Sequence, residues 1–205
     1  MRIIGLTGGI ASGKTSVAQL LERLGAVVVD ADRLAREIVE PGEEALAGII
    51  AAFGDKVLNC DGTLNRAALS EIVFSDQTAR RTLETITHPA IRQRAEQRLA
   101  RLKEAGVETA FYMAPLLFEA GTASRVHEVW VVYLDRETQL ERLMARDGLN
   151  REAALLRISS QMPMEEKKRL ASIVIDNSGG RDELEGQVLR LWREEVLIRS
   201  SREKR

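Results

Sequence analysis

The sequence holds a single cysteine, Cys60. That excludes an internal disulfide and a cysteine-based metal cluster, and it fits a reducing cytosol. Aromatic residues make up 4% of the chain, too few for the stacking platforms that grip single-stranded nucleic acid. Neither sign of charge prevails: 30 Lys and Arg face 31 Asp and Glu, for a net charge of -1. No basic excess therefore points to a nucleic-acid partner. No apolar run reaches the roughly 18 residues that a membrane-spanning helix needs. The amino end carries no signal-peptide pattern, and repeats and low-complexity segments are missing as well. The expectation is a cytoplasmic monomer without nucleic-acid or membrane partners. Its 205 residues suffice for one α/β domain with insertions.

The amino end is where the sequence is most informative. Arg2 to Thr7 reads as a short buried strand, and Ser16 to Leu24, apolar at Val17, Leu20, Leu21 and Leu24, as a helix. Between them Gly8-Gly9-Ile10-Ala11-Ser12-Gly13-Lys14-Thr15 satisfies G-x-x-x-x-G-K-[ST]. Strand, glycine loop and helix in that order make the pattern a phosphate site rather than a string match. Gly8 and Gly13 open backbone angles closed to other residues, so main-chain N–H groups can approach a polyphosphate. The positive end of the following helix faces the same anion. Lys14 is expected to reach the β- and γ-phosphates, and the Thr15 hydroxyl to ligate Mg²⁺.

Gly25 ends the first helix, and Ala26 to Val29 reads as a second buried strand. Asp30-Ala31-Asp32 follows at its carboxyl end, the edge where open α/β sheets hold ligands. One aspartate of the pair suits helix capping. The other suits a base that takes a proton from an attacking hydroxyl, or a holder of Mg²⁺-bound water. Asp30 is assigned to the cap and Asp32 to the chemistry. Residues 33–106 read as largely helical, with an expected interruption at His88-Pro89, because proline disfavours helix at the residue before it. Such a stretch is too long for a simple crossover and suits a second-substrate holder. His88 taken alone reads as a satisfied buried histidine or a helix stop.

Glu108 to Ala114 is the expected third strand, apolar enough to be central. Pro115-Leu116-Leu117-Phe118-Glu119 ends it, suited equally to lining a substrate cavity or to plugging the core. Val126 to Leu134 is the fourth strand, and Asp135 caps a helix from Glu137 to Arg146. Arg142 and Arg146, four apart, share a helix face, and Arg157 follows after a break at Asp147-Gly148. A kinase needs cations that close over the transferring phosphate and exclude water. The plainer reading of the same arginines is a solvated charged face. Ser172 to Ile175 is the fifth strand, Asp176 to Gly180 a turn, and Asp182 to Ile198 the last helix.

These residues resemble the dephospho-CoA kinase family across nearly all of residues 1–198. The likeness rests on GLTGGIASGKT at 5–15, VDADRLAREIVEPG at 29–42, THPAIR at 87–92 and PLLFE at 115–119. It is completed by QLERLMARDG at 139–148, RISSQM at 157–162 and VIDNSG at 174–179. The resemblance implies an α/β fold: a P-loop kinase core with a five-stranded parallel sheet, a helical insertion and a helical lid. The core is expected at 1–32, 107–135 and 170–200, the acceptor-binding insertion at 33–106 and the lid at 136–169, with a frayed tail at 199–205.

The implied activity is ATP-dependent phosphorylation of the dephospho-CoA 3′-hydroxyl, the last step of CoA synthesis, with ATP and Mg²⁺. Asp32, Lys14 and Arg142 are then the expected catalytic residues. ATP is expected to meet Gly8, Gly9, Ala11, Ser12, Gly13, Lys14, Thr15, Ser16, Arg146, Asn177 and Gly179. The acceptor is expected to meet Asp32, His88, Pro89, Ile91, Leu116, Leu117 and Glu119. Many relatives carry an aspartate two residues before the proline of PLLFE, where this chain has Met113. Strand three thus supplies no carboxylate, and Mg²⁺ is expected to rest on Thr15, the phosphates, water and Asp32. Two rival readings stay open: another P-loop kinase acting on a nucleoside or nucleotide, and a non-catalytic nucleotide-binding switch.

Overall fold

A computed structural model describes residues 1–198; the tail 199–205, expected to fray, lies outside the described residues. In chain order the elements are β1 (Arg2–Thr7), α1 (Lys14–Arg23), β2 (Val27–Asp30), α2 (Ala31–Glu37), α3 (Glu44–Phe53), α4 (Arg66–Ser75) and α5 (Gln77–Glu104). There follow β3 (Thr109–Met113), β4 (Glu128–Tyr133), α6 (Arg136–Asp147), α7 (Arg151–Ser159), α8 (Met164–Leu170), β5 (Ile173–Asp176) and α9 (Arg181–Leu191). The chain separates into two units, residues 30–101 and the remainder.

The larger unit is built on a five-stranded parallel sheet of order β2-β3-β1-β4-β5. β1 is central, between β3 and β4, and both its faces are covered: Ile4 and Leu6 on one face and Thr7 on the other are fully buried, with Ile4 and Leu6 in register with Phe111 and Met113 of β3 and with Glu128 and Trp130 of β4. Near-continuous apolar runs are what a parallel strand buried on both faces requires. Val17 and Leu21 of α1 and Leu184 and Val188 of α9 close one core with these strands. Phe111 and Trp130 meet edge to face at 5.2 Å, an arrangement favoured by the ring quadrupoles. At the amino end of the sheet Arg2 pairs with Glu128, which also accepts from Trp130 Nε1 at 3.0 Å. The ligand edge is therefore the opposite one, where β1 runs into residues 8–13.

Two departures from expectation have physical causes. No break occurs at His88-Pro89: α5 is one helix of 28 residues with Pro89 inside it. Pro89 cannot donate to the Thr85 carbonyl. Packing outweighs that loss, because Leu83 and Ile86 before it and Ala90 and Ile91 after it rest on the same cluster of Ile38, Val39, Ala45, Ile49, Val57 and Leu69. His88 is exposed, so it is neither a buried histidine nor a helix stop. At the carboxyl end, α9 stops at Leu191, and Trp192–Ile198 continues as a π-helix rather than one long α-helix. Among the described residues no helix is long and apolar enough to cross a membrane.

Candidate active site

The loop after β1 is shaped for an anion. Gly13 lies at φ 88°, where a side chain is strained, and caps α1 without any side-chain hydrogen bond. The first turn of α1 carries no acidic residue, so no side-chain charge offsets its positive dipole end, which suits an anion. Ala11 also takes a left-handed conformation, φ 60°, rare outside glycine. Lys14 Nζ curls back over the loop and donates to the carbonyls of Gly8 (2.8 Å) and Gly9 (3.0 Å). Ser12 Oγ is buried with no hydrogen-bond partner among the described residues, a cost that a bound anion would relieve. These are the features of a site that fits a nucleotide polyphosphate.

A cavity of about 700 Å³ opens beside this loop. Residues 11–16 line it together with Gln19, Leu20 and Arg23 of α1, Arg142 and Arg146 of α6, Asn177, Gly179, and Arg181, Leu184 and Glu185 of α9. Gly8 and Gly9 are not part of that lining. Asn177 does more than border the space: its Nδ2 donates to Ser12 O at 2.8 Å and props the loop from beneath. A Cβ on Gly13 would stand 2.3 Å from the same Nδ2, so glycine is needed here for space as well as for angle.

The cations of the cavity are not equivalent. Arg146 is spent on its neighbour, with Nε to Asp147 Oδ1 at 2.8 Å and Nη2 to Oδ2 at 3.1 Å, and Arg157 joins the same carboxylate at 2.8 Å. The Arg146 hydrogen bond holds the Asp147 carboxyl below its usual value, and the charges of Arg146 and Arg157 outlast the opposing effect of burial. Arg23 and Arg181 share Glu185, at 3.6 and 3.2 Å. The Arg142 guanidinium makes no ion pair or hydrogen bond among the described residues, which leaves it the cation ready for a phosphate. The asymmetry arises because Asp147 follows Arg146 directly at the helix end, while Arg142 lies one turn back.

Beyond the loop, β3 runs into the Pro115–Glu119 segment. Leu117 is fully buried, and a Cβ on Gly5 would stand 2.8 Å from it; it anchors the segment in the core, whereas Leu116 is 43% exposed. Glu119 Oε1 accepts from Met162 N at 3.0 Å and pairs with Lys167 Nζ at 2.8 Å. Burial pushes the Glu119 carboxyl up, but the Lys167 hydrogen bond, the N–H of Met162 and the Lys167 charge together bring it below its usual value. Lys167 is fully buried and also donates to Pro115 O at 2.9 Å. α8 is fixed besides by Tyr133, whose hydroxyl donates to Glu165 Oε1 at 2.5 Å. That bond, with burial, pushes the phenol up to about 12. The sequence offered no sign of Lys167: a lysine in the run Glu165 to Lys168 reads as surface charge.

In the smaller unit, Asp30 Oδ1 accepts from Asp32 N at 2.9 Å and so caps α2, whose first turn carries Asp32. The helix starts at Ala31, two residues before the expected place. Asp32 is exposed, as are His88 and Pro89 of α5, while Ile91 leans on the unit's own core. Arg94 of α5 pairs with Glu43 at 2.5 Å, which ties α5 to the start of α3.

The dephospho-CoA kinase family model matches residues 2–183 of this chain. This chain belongs to the dephospho-CoA kinase family. A dephospho-CoA kinase of Geobacter sulfurreducens is 59% identical over 192 residues, 94% of this chain and 98% of that protein. Among solved structures, a Thermus thermophilus protein matches with a TM-score of 0.82 at 39% identity, covering 95% of this chain and 97% of its own. The dephospho-CoA kinase from Campylobacter jejuni matches with a TM-score of 0.75 at 31% identity, covering 97% and 100%.

Within this family member, several lining residues were not anticipated: Gln19, Leu20, Arg23, Arg181, Leu184 and Glu185. Their positions on α1 and α9 follow from the two helices lying side by side on one core, which no local pattern announces. As for a metal, no group of three or more His, Cys, Asp or Glu is arranged to hold one among the described residues. The donor set fits a Mg²⁺ that arrives with the nucleotide and takes one hydroxyl, Thr15, from the chain.

Proposed function

We propose that the protein transfers the γ-phosphoryl group of ATP to the 3′-hydroxyl of dephospho-CoA, giving CoA and ADP, the last step of coenzyme A synthesis. The observation that carries this reading is the convergence on one cavity of residues 11–16 with Arg142, in a chain of this family. A bond forms between the 3′-oxygen and the γ-phosphorus, the bond from that phosphorus to the β–γ bridging oxygen breaks, and ADP leaves.

Each role follows from the chemistry of the residue. The N–H groups at the start of α1 and the Lys14 ammonium hold the β- and γ-phosphates and stabilise the charge that builds on them. Arg142, which has no ion-pair partner among the described residues, supplies positive charge over the transferring group, and Arg146 supplies a charge already held by Asp147. Asp32 orients the acceptor hydroxyl and takes its proton. His88, Pro89, Ile91, Leu116 and Glu119 are the residues assigned to acceptor binding, Glu119 by shaping its segment through Lys167. Thr15 would hold Mg²⁺, which when bound neutralises the β- and γ-oxygens. On this reading residues 33–106 receive the acceptor and 136–169 shut out water. The protein works as a cytoplasmic monomer on small molecules.

The test is an acceptor panel. With Mg-ATP, dephospho-CoA should drive ADP formation and a nucleoside should not; the reverse would favour a nucleoside kinase. ATP binding with no acceptor-dependent turnover would favour a switch. Asp32→Asn should lower turnover far more than ATP affinity, and equal loss of both would refute the base role. Lys14→Ala should act mainly on the transition state, seen as a fall in kcat.

A further inference from the structure

One residue of the phosphate loop is clasped from both ends of the arginine-bearing helix pair. Ile10 N donates to Gln161 Oε1 at 2.8 Å, and Gln139 Nε2 donates to Ile10 O at 2.9 Å. Gln139 sits in the first turns of α6, and Gln161 just past the end of α7. The two amides thus satisfy both backbone groups of a single loop residue. Gln139 is 3% exposed, so its bond is made away from water. The fit is close: a Cβ on Gly9 would stand 2.5 Å from Gln139 Nε2. The side chains of Ile10 and Ala11 complete the contact by packing against Leu140, Leu143 and Ala154 of the pair.

The bland account is that a loop without secondary structure must satisfy its backbone somewhere. Three observations go beyond it. The partners come from two separate stems. They meet on the residue before the left-handed Ala11. And Gln139 lies one turn before Arg142, on the same face of α6. A helix pair fastened at both stems to Ile10 cannot swing away without breaking two hydrogen bonds and a packed interface.

We infer that Gln139 and Gln161 are positioning residues that lock Arg142 to the phosphate loop, so the loop and the helix pair move as one body during phosphoryl transfer. The inference rests on the kinase reading above. Arg142 then needs no search for its place, and the charge it brings is preorganised at the transferring group.

Backbone polarity makes the test sharp. The Ile10 N–H can only donate and its C=O can only accept. Gln161→Glu keeps an acceptor for the N–H, whereas Gln139→Glu sets a carboxylate against a carbonyl. The two variants add the same charge beside the same residue and differ in whether the bond survives and in burial, Gln139 being buried and Gln161 half-buried; the double-mutant cycle below separates the two. Gln139→Glu should lower kcat about 10- to 100-fold, the effect of an unsatisfied buried group on a transition-state contact. Gln161→Glu should lose at least about tenfold less, with the KM for dephospho-CoA little changed in both. Equal losses would overturn the inference.

Should Gln139→Glu fail to fold, judged by circular dichroism, Gln139→Met and Arg142→Ala form a double-mutant cycle. A positioning role makes the cost of Arg142→Ala clearly smaller once Gln139 is gone. Additive effects would mean that Gln139 serves stability alone, and would overturn the inference as well. Absence of acceptor-dependent turnover in the unsubstituted protein would instead sink the kinase reading, so the two failures are distinguishable.

Discussion

Removing Glu119 should harm this protein more than removing the lysine it pairs with. Lys167 has 0% side-chain exposure and two partners, Glu119 Oε1 at 2.8 Å and Pro115 O at 2.9 Å. Glu119 is 22% exposed and has a second donor in Met162 N. Glu119→Ala therefore strands an ammonium away from water with one neutral acceptor, a loss of about 3–5 kcal/mol. Lys167→Met removes the charge itself, keeps most of the stem volume, and lets the carboxylate turn to water. Pro115 O would retain the Thr7 hydroxyl at 3.3 Å, so the expected cost is about 1–2 kcal/mol. At about 2–4 °C per kcal/mol for a chain of this size, melting should fall by about 6–20 °C for the first variant and about 2–8 °C for the second. The double variant should be more stable than Glu119→Ala alone, because no uncompensated charge remains. Thermal unfolding followed by circular dichroism decides the matter. A Glu119→Ala loss equal to or smaller than that of Lys167→Met, or a double variant as weak as the sum, would refute the reasoning.

Acid should erode the same contact. Because Glu119 titrates below its ordinary value of 4.5 in the folded protein, its stabilisation is complete above that value and fades as pH falls through the depressed one. Urea unfolding of the protein and of Glu119→Gln should thus differ by a constant amount above the ordinary carboxylate value and converge as pH falls through the depressed one. Gly13→Ala combines a left-handed φ of 88° with a Cβ 2.3 Å from Asn177 Nδ2. It should weaken Mg-ATP binding by more than about tenfold in a calorimetric titration, through about 1–2 kcal/mol of strain and the lost prop under Ser12. Unchanged affinity would show that the loop adapts. Pro89→Ala returns an N–H to an exposed position of a helix that is already continuous, so melting should rise by a few degrees; a fall would mean that the proline relieves strain in α5.

Much of this architecture could be read from local patterns. β1 and β4 are buried runs, and the loop between β1 and α1 carries its own glycine–lysine pattern. Asp30 and Asp135 sit where a carboxylate caps a helix, and both do so. The unread parts are those where distant segments outweigh a local signal. Pro89 reads as a stop, but Ile86 and Ala90 on either side share one cluster. Arg142 and Arg146 are alike in sequence, and only the pairing of Arg146 with Asp147 separates them. Gln139, Gln161 and Lys167 look like surface residues, because nothing in a linear chain says that a loop 129 residues away needs a donor. Leu116 and Leu117 differ by one position, yet one is half open to solvent and the other is sealed beside Gly5.

On the proposed reading this loop and cavity pass a phosphoryl group to one particular alcohol. Phosphorus NMR of the product made from Mg-ATP and dephospho-CoA tests it most directly. A new phosphomonoester resonance coupled to the ribose 3′-proton should form in step with ADP. Phosphate on any other atom, or ADP formed at the same rate without the acceptor, would contradict it.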